Sequence, residues 1–328
     1  MRNLRILGQS LDYFDYRFAS GLWVVTSYYN PVGYKTRRMN YEIFMHLLRR
    51  SGIPMLTVEC AFGDQPFDLP ESTDVVQIRS SSLLWQKERL LNLAISWLPP
   101  SCKYVAWLDC DLIFLNRNWA QETVTRLEQA PIVQAFETCN RLPQSCTETL
   151  AEKDLSTSFA SIVCRDHSVL RTGRYEDHGH PGYGWAARRE ILDRHGLYEY
   201  AVAGSADHIM AHAAVGDLGS ACIERTMCKQ LAPMQCFQEW AKPFDQSVQG
   251  GLGIVAGEIL HLWHGSLADR KYYLRYLELG EFNFNPFTDL IVSPGRPLEL
   301  KPGLNKPGLK EWFISYFTNR NEDGIPAT

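Results

Sequence analysis

No apolar stretch in this chain reaches the roughly 18 residues that a membrane-spanning helix needs. The longest, residues 90–98 and 22–25, are broken or ended by Asn92, Ser96 and Thr26. The opening MRNLRILGQSLDYFDYRF is charged throughout and lacks the apolar centre of a secretory leader, and no N-x-[ST] sequon occurs. The nine cysteines include no C-x-x-C pair, and the closest two, Cys222 and Cys228, fit no zinc template. These absences predict free thiols in a reducing compartment, and so a soluble, cytoplasmic protein. A basic excess is missing as well. The 33 Lys and Arg face 37 Asp and Glu, a net charge of −4, which argues against a protein whose main affinity is for a phosphate backbone. There is no G-x-x-x-x-G-K-[ST] phosphate loop, no G-x-S-x-G elbow and no H-E-x-x-H pair.

What is present is globular in character: 45% hydrophobic and 21% charged residues exclude disorder and coiled coil. A length of 328 residues admits one large domain or two ordinary ones. The first half alternates strand and helix signals. Residues 22–27 (LWVVTS) read as a strand closed by the turn Asn30-Pro31-Val32-Gly33, and 39–50 as a helix stopped by Gly52. Residues 54–59 and 74–78 read as further strands. Ser80-Ser81-Ser82 offers a cap for a helix over 83–98, which Pro99-Pro100 ends. Residues 104–108 (YVAWL) are nearly all apolar, as in a strand covered on both faces. This alternation predicts an α/β fold with a mostly parallel sheet flanked by helices.

The second half is less regular. Residues 138–181 are expected to form loops and short elements over one end of the sheet. Helices are expected at 188–195, 207–215, 266–279 (a Ser266/Asp269 capping box with Gly280 beyond its end) and 309–317. The glycine-rich 250–257 lacks G-x-G-x-x-G spacing and reads as a loop.

The sharpest chemical signal is Asp109-Cys110-Asp111 directly after the apolar strand. In an open α/β sheet the carboxyl ends of strands face the ligand crevice. Two carboxylates there repel unless a hard divalent cation neutralises them, and such a cation can bridge to a diphosphate. A surface turn is the alternative. Lys87, Arg89 and Asn92 on the preceding helix are candidates for phosphate, ribose or base, or else form a solvated charged face. Tyr28, Asn30 and Glu59, at the ends of the first two strands, are further candidates for reading a base or ribose. His261-Leu262-Trp263-His264-Gly265 supplies a histidine for the metal, with His264 favoured and His261 as the fallback. Gly182-Tyr183-Gly184-Trp185 resembles a loop that sets an aromatic ring against a sugar, and His208 follows Asp207, which serves as base or as helix cap.

Taken in order, VTSYYNP, KERLLN, WLDCD, GYGWAARREIL, ADH and LWHG resemble GT-A-fold, Rossmann-related, nucleotide-sugar-dependent glycosyltransferases over residues 22 to 290. The resemblance implies a division into an N-terminal extension (1–20), a nucleotide-sugar-binding half (21–137), an irregular acceptor-side and catalytic half of the same domain (138–290) and a C-terminal tail (291–328). It implies a UDP-sugar donor, with glucose or galactose favoured. Mn²⁺ or Mg²⁺ would be held by Asp109, Asp111 and His264, with Tyr28, Asn30, Glu59, Lys87, Arg89 and Asn92 on the nucleotide. Tyr183, Gly184, Trp185 and His208 would lie on the sugar or acceptor side, with Asp207 as the base of an inverting transfer. The Ala206-Asp207-His208 setting departs from the acidic pairs usual at that base, which leaves a retaining transfer open. The run HGSLADRKYYLR…FNFNPFTDL is similar to glycosyltransferase-like proteins of bacteria and bacteriophages, including DNA-base glucosyltransferases. The acceptor hydroxyl is accordingly that of a glycan, a small molecule or a modified nucleobase. Two other readings stay open: a metal-dependent nucleotidyltransferase or phosphohydrolase, and a non-catalytic nucleotide-sugar-binding protein.

Overall fold

The computed structural model describes residues 5–6, 8–11, 14–144, 153–272 and 274–324. The chain enters through a short hairpin, β1 (Arg5–Ile6) and β2 (Gln9–Ser10), and buries Ile6, Leu11, Phe14 and Tyr16. The alternating half follows: β3 (Leu22–Tyr28), α1 (Lys35–Arg50), β4 (Met55–Phe62), β5 (Val75–Ser80), α2 (Lys87–Trp97) and β6 (Tyr104–Leu108). Helix α1 buries Ile43, Phe44, Leu47 and Leu48, the apolar positions at helical spacing. Next come β7 (Leu112–Phe114), α3 (Trp119–Leu127), β8 (Ile132–Gln134), β9 (Thr138–Arg141), β10 (Asp154–Thr157), α4 (Phe159–Arg165) and β11 (Gly184–Arg188). Helices α5 (Arg189–His195), α6 (Ala206–Ala213), α7 (Ala221–Thr226) and α8 (Leu231–Val248) precede β12 (Leu252–Ile254) and β13 (Glu258–His261). The chain closes with α9 (Leu274–Glu281), α10 (Pro286–Asp289), the pair β14 (Leu290–Ile291) and β15 (Glu299–Leu300), and α11 (Leu309–Thr318).

Seven strands form the central sheet in the order β12-β8-β11-β6-β3-β4-β5. The β3–β4, β3–β6, β4–β5 and β8–β12 pairs are parallel, and β11 runs antiparallel to both β6 and β8. Four strands, β10-β9-β13-β7, make a second sheet. The protein is therefore α/β with a mostly parallel central sheet between helices. One apolar cluster joins Val25 and Trp107 to Ile209, Phe237 and Phe317, so both halves and the C-terminal segment share a core.

Several local expectations need correction. Helix α2 starts at Lys87, not at 83, and no serine caps it. The Ser80 and Ser82 hydroxyls and the Ser81 side chain bond instead to Leu298, Leu300 and Glu299, so tertiary partners took the groups a cap would have used. The segment 184–188, read as part of a loop leading into a helix, is the strand β11 in the middle of the sheet. A Cβ on Gly184 would meet Leu108 at 2.9 Å, so that glycine permits close strand packing. The glycine-rich 250–257 contains the edge strand β12. The expected helix 266–279 is divided: a 3-10 turn over Ala268–Arg270 ends at Lys271 in left-handed backbone (φ 47°), and α9 begins at Leu274. Ser266 does accept from the Asp269 N–H, yet Gly280 lies inside α9, not beyond it. Position 273 and the part of 138–181 between 145 and 152 lie outside the described residues. Helix α8, with Pro243 in its interior, had no counterpart in the sequence reading.

Candidate active site

The chain lays β4 and β5 on one side of β3 and then places β6 on the other. Such a reversal opens a crevice past the carboxyl ends of the two central strands, where open α/β sheets bind ligands. Ser27 and Tyr29 at the end of β3, and Asp109, Cys110 and Asp111 after β6, line one cleft there. Tyr183, just before β11, sits in left-handed backbone (φ 78°) and accepts the Asp109 N–H at 2.8 Å, which fixes the turn bearing the carboxylates.

Two polar clusters share the cleft. In the first, Lys87 Nζ lies 2.6 Å from Asp109 Oδ1 and 2.8 Å from Asp207 Oδ2. Burial opposes the charge on Lys87, but the two carboxylates outweigh it and hold the ammonium well above the usual lysine range. Burial pushes the Asp109 carboxyl up to about 6, with Lys87 pulling it back and Asp207 and Asp111 adding to the rise.

In the second cluster, Asp111 Oδ2 is 3.0 Å from His264 Nε2 and 3.8 Å from His261 Nε2, and the two imidazoles approach to 3.0 Å. Burial alone would raise the Asp111 carboxyl, yet His264 and His261 hold it well below the usual carboxylate range. One ligand atom from each of Asp111, His261 and His264 fits within 4.8 Å. The second Asp111 oxygen, Oδ1, is buried with no hydrogen-bond partner. Such an oxygen is costly unless a cation lies beside it, and one carboxylate with two imidazoles suits a first-row divalent ion. The donor set therefore fits Mn²⁺ better than it fits an all-oxygen Mg²⁺ site. Arg270 Nη2 lies 2.9 Å from His264 Nε2, so an ion held there would compete with the guanidinium for that lone pair.

Charge surrounds both clusters. Arg37, Lys87, Arg225, Arg270, Arg275 and Arg320 line the cleft, against the carboxylates Asp109, Asp111 and Asp207. Buried Glu322 ties Arg37 (2.9 Å) to Arg320 (2.6 Å) and so anchors the segment just after α11 at the cleft. The Arg37 guanidinium lies 5.1 Å from the Tyr29 ring centroid and that of Arg320 5.1 Å from the Trp85 ring. The two rings meet edge to face at 5.5 Å.

Of the residues singled out in the sequence, Lys87, Asp109, Asp111, Tyr183, Asp207, His208, His261 and His264 all line this cleft. Asp111 is joined by both histidines, whereas Asp109 offers its Oδ1 to Lys87 and stands outside the three-residue cluster. Asp207 is the second residue of α6; the cap position belongs to Ser205. The others are engaged elsewhere. Tyr28 is fully buried and its hydroxyl bonds Asp68, while its neighbour Tyr29 faces the cleft. Asn30 bonds the Tyr34 backbone and Asp68. Glu59 accepts the N–H groups of Asp68 and Leu69 and the Gln77 amide, holding a loop. Arg89 and Asn92 both pair with Glu199. Trp185 is buried in β11 and donates to the Pro181 carbonyl, and Gly184 packs on Leu108. The sequence reading missed Tyr29, Trp85 and the cleft arginines. Arg270 and Arg275 fell inside a noted segment, but no spacing distinguishes any of these from surface residues.

No family model matches the chain, and no curated protein matches it significantly. Solved structures similar to it include the 4-diphosphocytidyl-2C-methyl-D-erythritol synthase of Anaerococcus prevotii (11% identity, 76% of this chain and 89% of that one, TM-score 0.33). The catalytic domain of Drosophila beta1,4galactosyltransferase 7, in complex with xylobiose, is similar at 10% identity over 91% of this chain and 98% of that one, with a TM-score of 0.36. The glucosyl-3-phosphoglycerate synthase of Mycobacterium tuberculosis, in complex with Mg²⁺ and UDP, is similar at 13% identity over 87% and 88%, with a TM-score of 0.39. Likenesses this remote assign neither activity nor residues. Among the described residues, no helix is long and apolar enough to cross a membrane.

Proposed function

We propose that this protein is a divalent-metal-dependent glycosyltransferase that moves a hexose, glucose or galactose, from a UDP-sugar to a hydroxyl acceptor. The observation carrying this reading is the convergence at the sheet's switch point of Asp111, His261 and His264, with Asp111 Oδ1 unpartnered, beside Lys87, Asp207 and a ring of arginines. Asp111, His264 and His261 would hold the ion, with Asp109 adjacent; bound there, it would neutralise the donor diphosphate as negative charge grows on the departing UDP. Arg37, Arg270, Arg275 and Arg320 are the groups assigned to the phosphate oxygens, since guanidinium forks match them bidentately. The rings of Tyr29 and Trp85 are assigned to the flat base.

Asp207 is assigned the proton of the attacking acceptor hydroxyl, at the oxygen not held by Lys87. Lys87 orients that carboxylate through the 2.8 Å contact to its other oxygen. In this assignment Tyr183 and His208 border the sugar and acceptor. The acceptor is a glycan, a small molecule or a modified nucleobase. An inverting outcome follows if Asp207 acts as base; in a retaining outcome Asp207 only positions the sugar.

The test is thermal unfolding with Mn²⁺ and UDP, GDP, CMP or ADP, for the wild type and Asp111→Asn. A ligand at a hundredfold excess over its Kd stabilises by about 2.7 kcal/mol. A Mn²⁺-dependent shift selective for UDP and lost in Asp111→Asn is expected. No nucleotide-dependent shift, or one that Asp111→Asn leaves intact, refutes the donor site.

A further inference from the structure

We infer that His178, His212 and Cys222 form a zinc site that ties the helix carrying Asp207 to its two neighbours. The three residues come from separate segments: the 3-10 turn Tyr175–His178, α6 and α7. All are buried, and one ligand atom from each fits within 4.8 Å. His178 Nδ1 lies 3.3 Å from His212 Nε2, and Cys222 Sγ lies 3.7 Å from His178 Nδ1.

Tetrahedral zinc, with Zn–N near 2.0–2.1 Å and Zn–S near 2.3 Å, holds two nitrogens about 3.3 Å apart and a nitrogen and a sulfur about 3.6 Å apart. Both spacings are thus close to those a tetrahedral ion requires. The contacts of His212 agree. Asp217 Oδ2 lies 2.5 Å from His212 Nδ1, which fixes the proton on that nitrogen and turns the Nε2 lone pair toward the cluster. The other Asp217 oxygen accepts the Ser220 N–H at 3.1 Å, so the carboxylate is itself held in place. A thiolate and two imidazoles favour Zn²⁺ over Mg²⁺ or Mn²⁺, unlike the carboxylate-bearing cluster at Asp111.

Binding releases the Cys222 thiol proton to solvent and forms one Zn–S and two Zn–N bonds, leaving the fourth position to water. Cys222 Sγ also lies 3.4 Å from the Gly173 carbonyl, a weak hydrogen bond that the thiol gives up on binding the ion. Because α6 also carries Asp207, the ion would fix the position of that carboxylate relative to the cleft. This inference is independent of the transferase reading.

The experiment titrates Co²⁺ into the chelator-stripped protein and records the thiolate-to-cobalt absorption and the tetrahedral d–d bands. A stoichiometric thiolate band in the wild type is expected. It should be lost in Cys222→Ser and kept in Asp111→Asn/His264→Ala. Asp217→Asn should weaken Zn²⁺ binding about 10–100-fold. Alkylation of Cys222, followed by peptide mapping of the wild type, should be blocked by Zn²⁺ and not by Mg²⁺. Absence of the band in the wild type, its survival in Cys222→Ser, or unprotected alkylation under Zn²⁺ each overturns the site.

Discussion

Replacing Lys87 with methionine removes one cation and leaves two carboxylates in place. The lysine side chain is 9% exposed, and those of Asp109 and Asp207 are 28% and 19% exposed. At separations of 2.6 and 2.8 Å, each pair is worth several kcal/mol of Coulomb attraction at an effective dielectric near 20, most of it offset by desolvation. Removing one partner of a buried ion pair costs roughly 3–5 kcal/mol, because the remaining charge is stranded. For Lys87→Met at pH 8 that corresponds to a fall in Tm of the order of 10 °C.

The pH dependence has a definite sign. Asp109 sits at about 6 with Lys87 present, above its ordinary 3.8, and removing the cation pushes it higher. A carboxyl raised on folding contributes stability below its unfolded pKa and loses it as pH rises through the folded value. The penalty of Lys87→Met should therefore be full at pH 8 and shrink toward pH 4. Urea unfolding of both proteins at the two pH values measures it. A loss below about 1 kcal/mol at pH 8, or an equal loss at both, would refute the description of Lys87 as the cation holding these carboxylates together.

Two further outcomes follow from the same neighbourhood. Glu88 is buried, and burial pushes its carboxyl up to about 8, against the pull of Lys87 and with a further push from Asp207. Glu88→Gln should match the wild type near pH 4, where both are neutral, and be more stable by about 2–4 kcal/mol above pH 8, as thermal scans across that range would show; a variant less stable at pH 8 would contradict it. Arg270→Met removes the guanidinium competing for His264 Nε2, so Mn²⁺ should bind several-fold more tightly by calorimetry while UDP binds more weakly. If both affinities fall together, Arg270 supports the metal site and does not compete with it.

Much of the sheet was legible because periodicity is local. Residues 104–108 could be read as a strand from a run that is nearly all apolar, and 39–50 as helix from apolar residues three and four apart. The same locality made Asp109 and Asp111 legible, since what matters about them is that they follow a buried strand. It failed at β11, where Gly184-Trp185-Ala186-Ala187 has the composition of a loop and becomes a strand only because β6 and β8 pair with it on both sides. It failed at Ser80–Ser82 for the converse reason: a capping signal was present, and the 298–300 segment took its hydrogen bonds.

The candidate residues divide along the same line. Arg89 and Asn92 sit on the helix that carries Lys87, but their rotational positions turn them to Glu199 while Lys87 alone reaches the carboxylates. Sequence by itself determined the alternation of strands and helices, the buried strand and the two acids that follow it, because these depend on neighbours a few residues apart. Only the tertiary structure decided which cations meet those acids. Arg37, the neighbouring Arg270 and Arg275, and Arg320 come from three separate stretches of the chain, and their charges act on one another only when folding brings them into a shared, poorly solvated cleft.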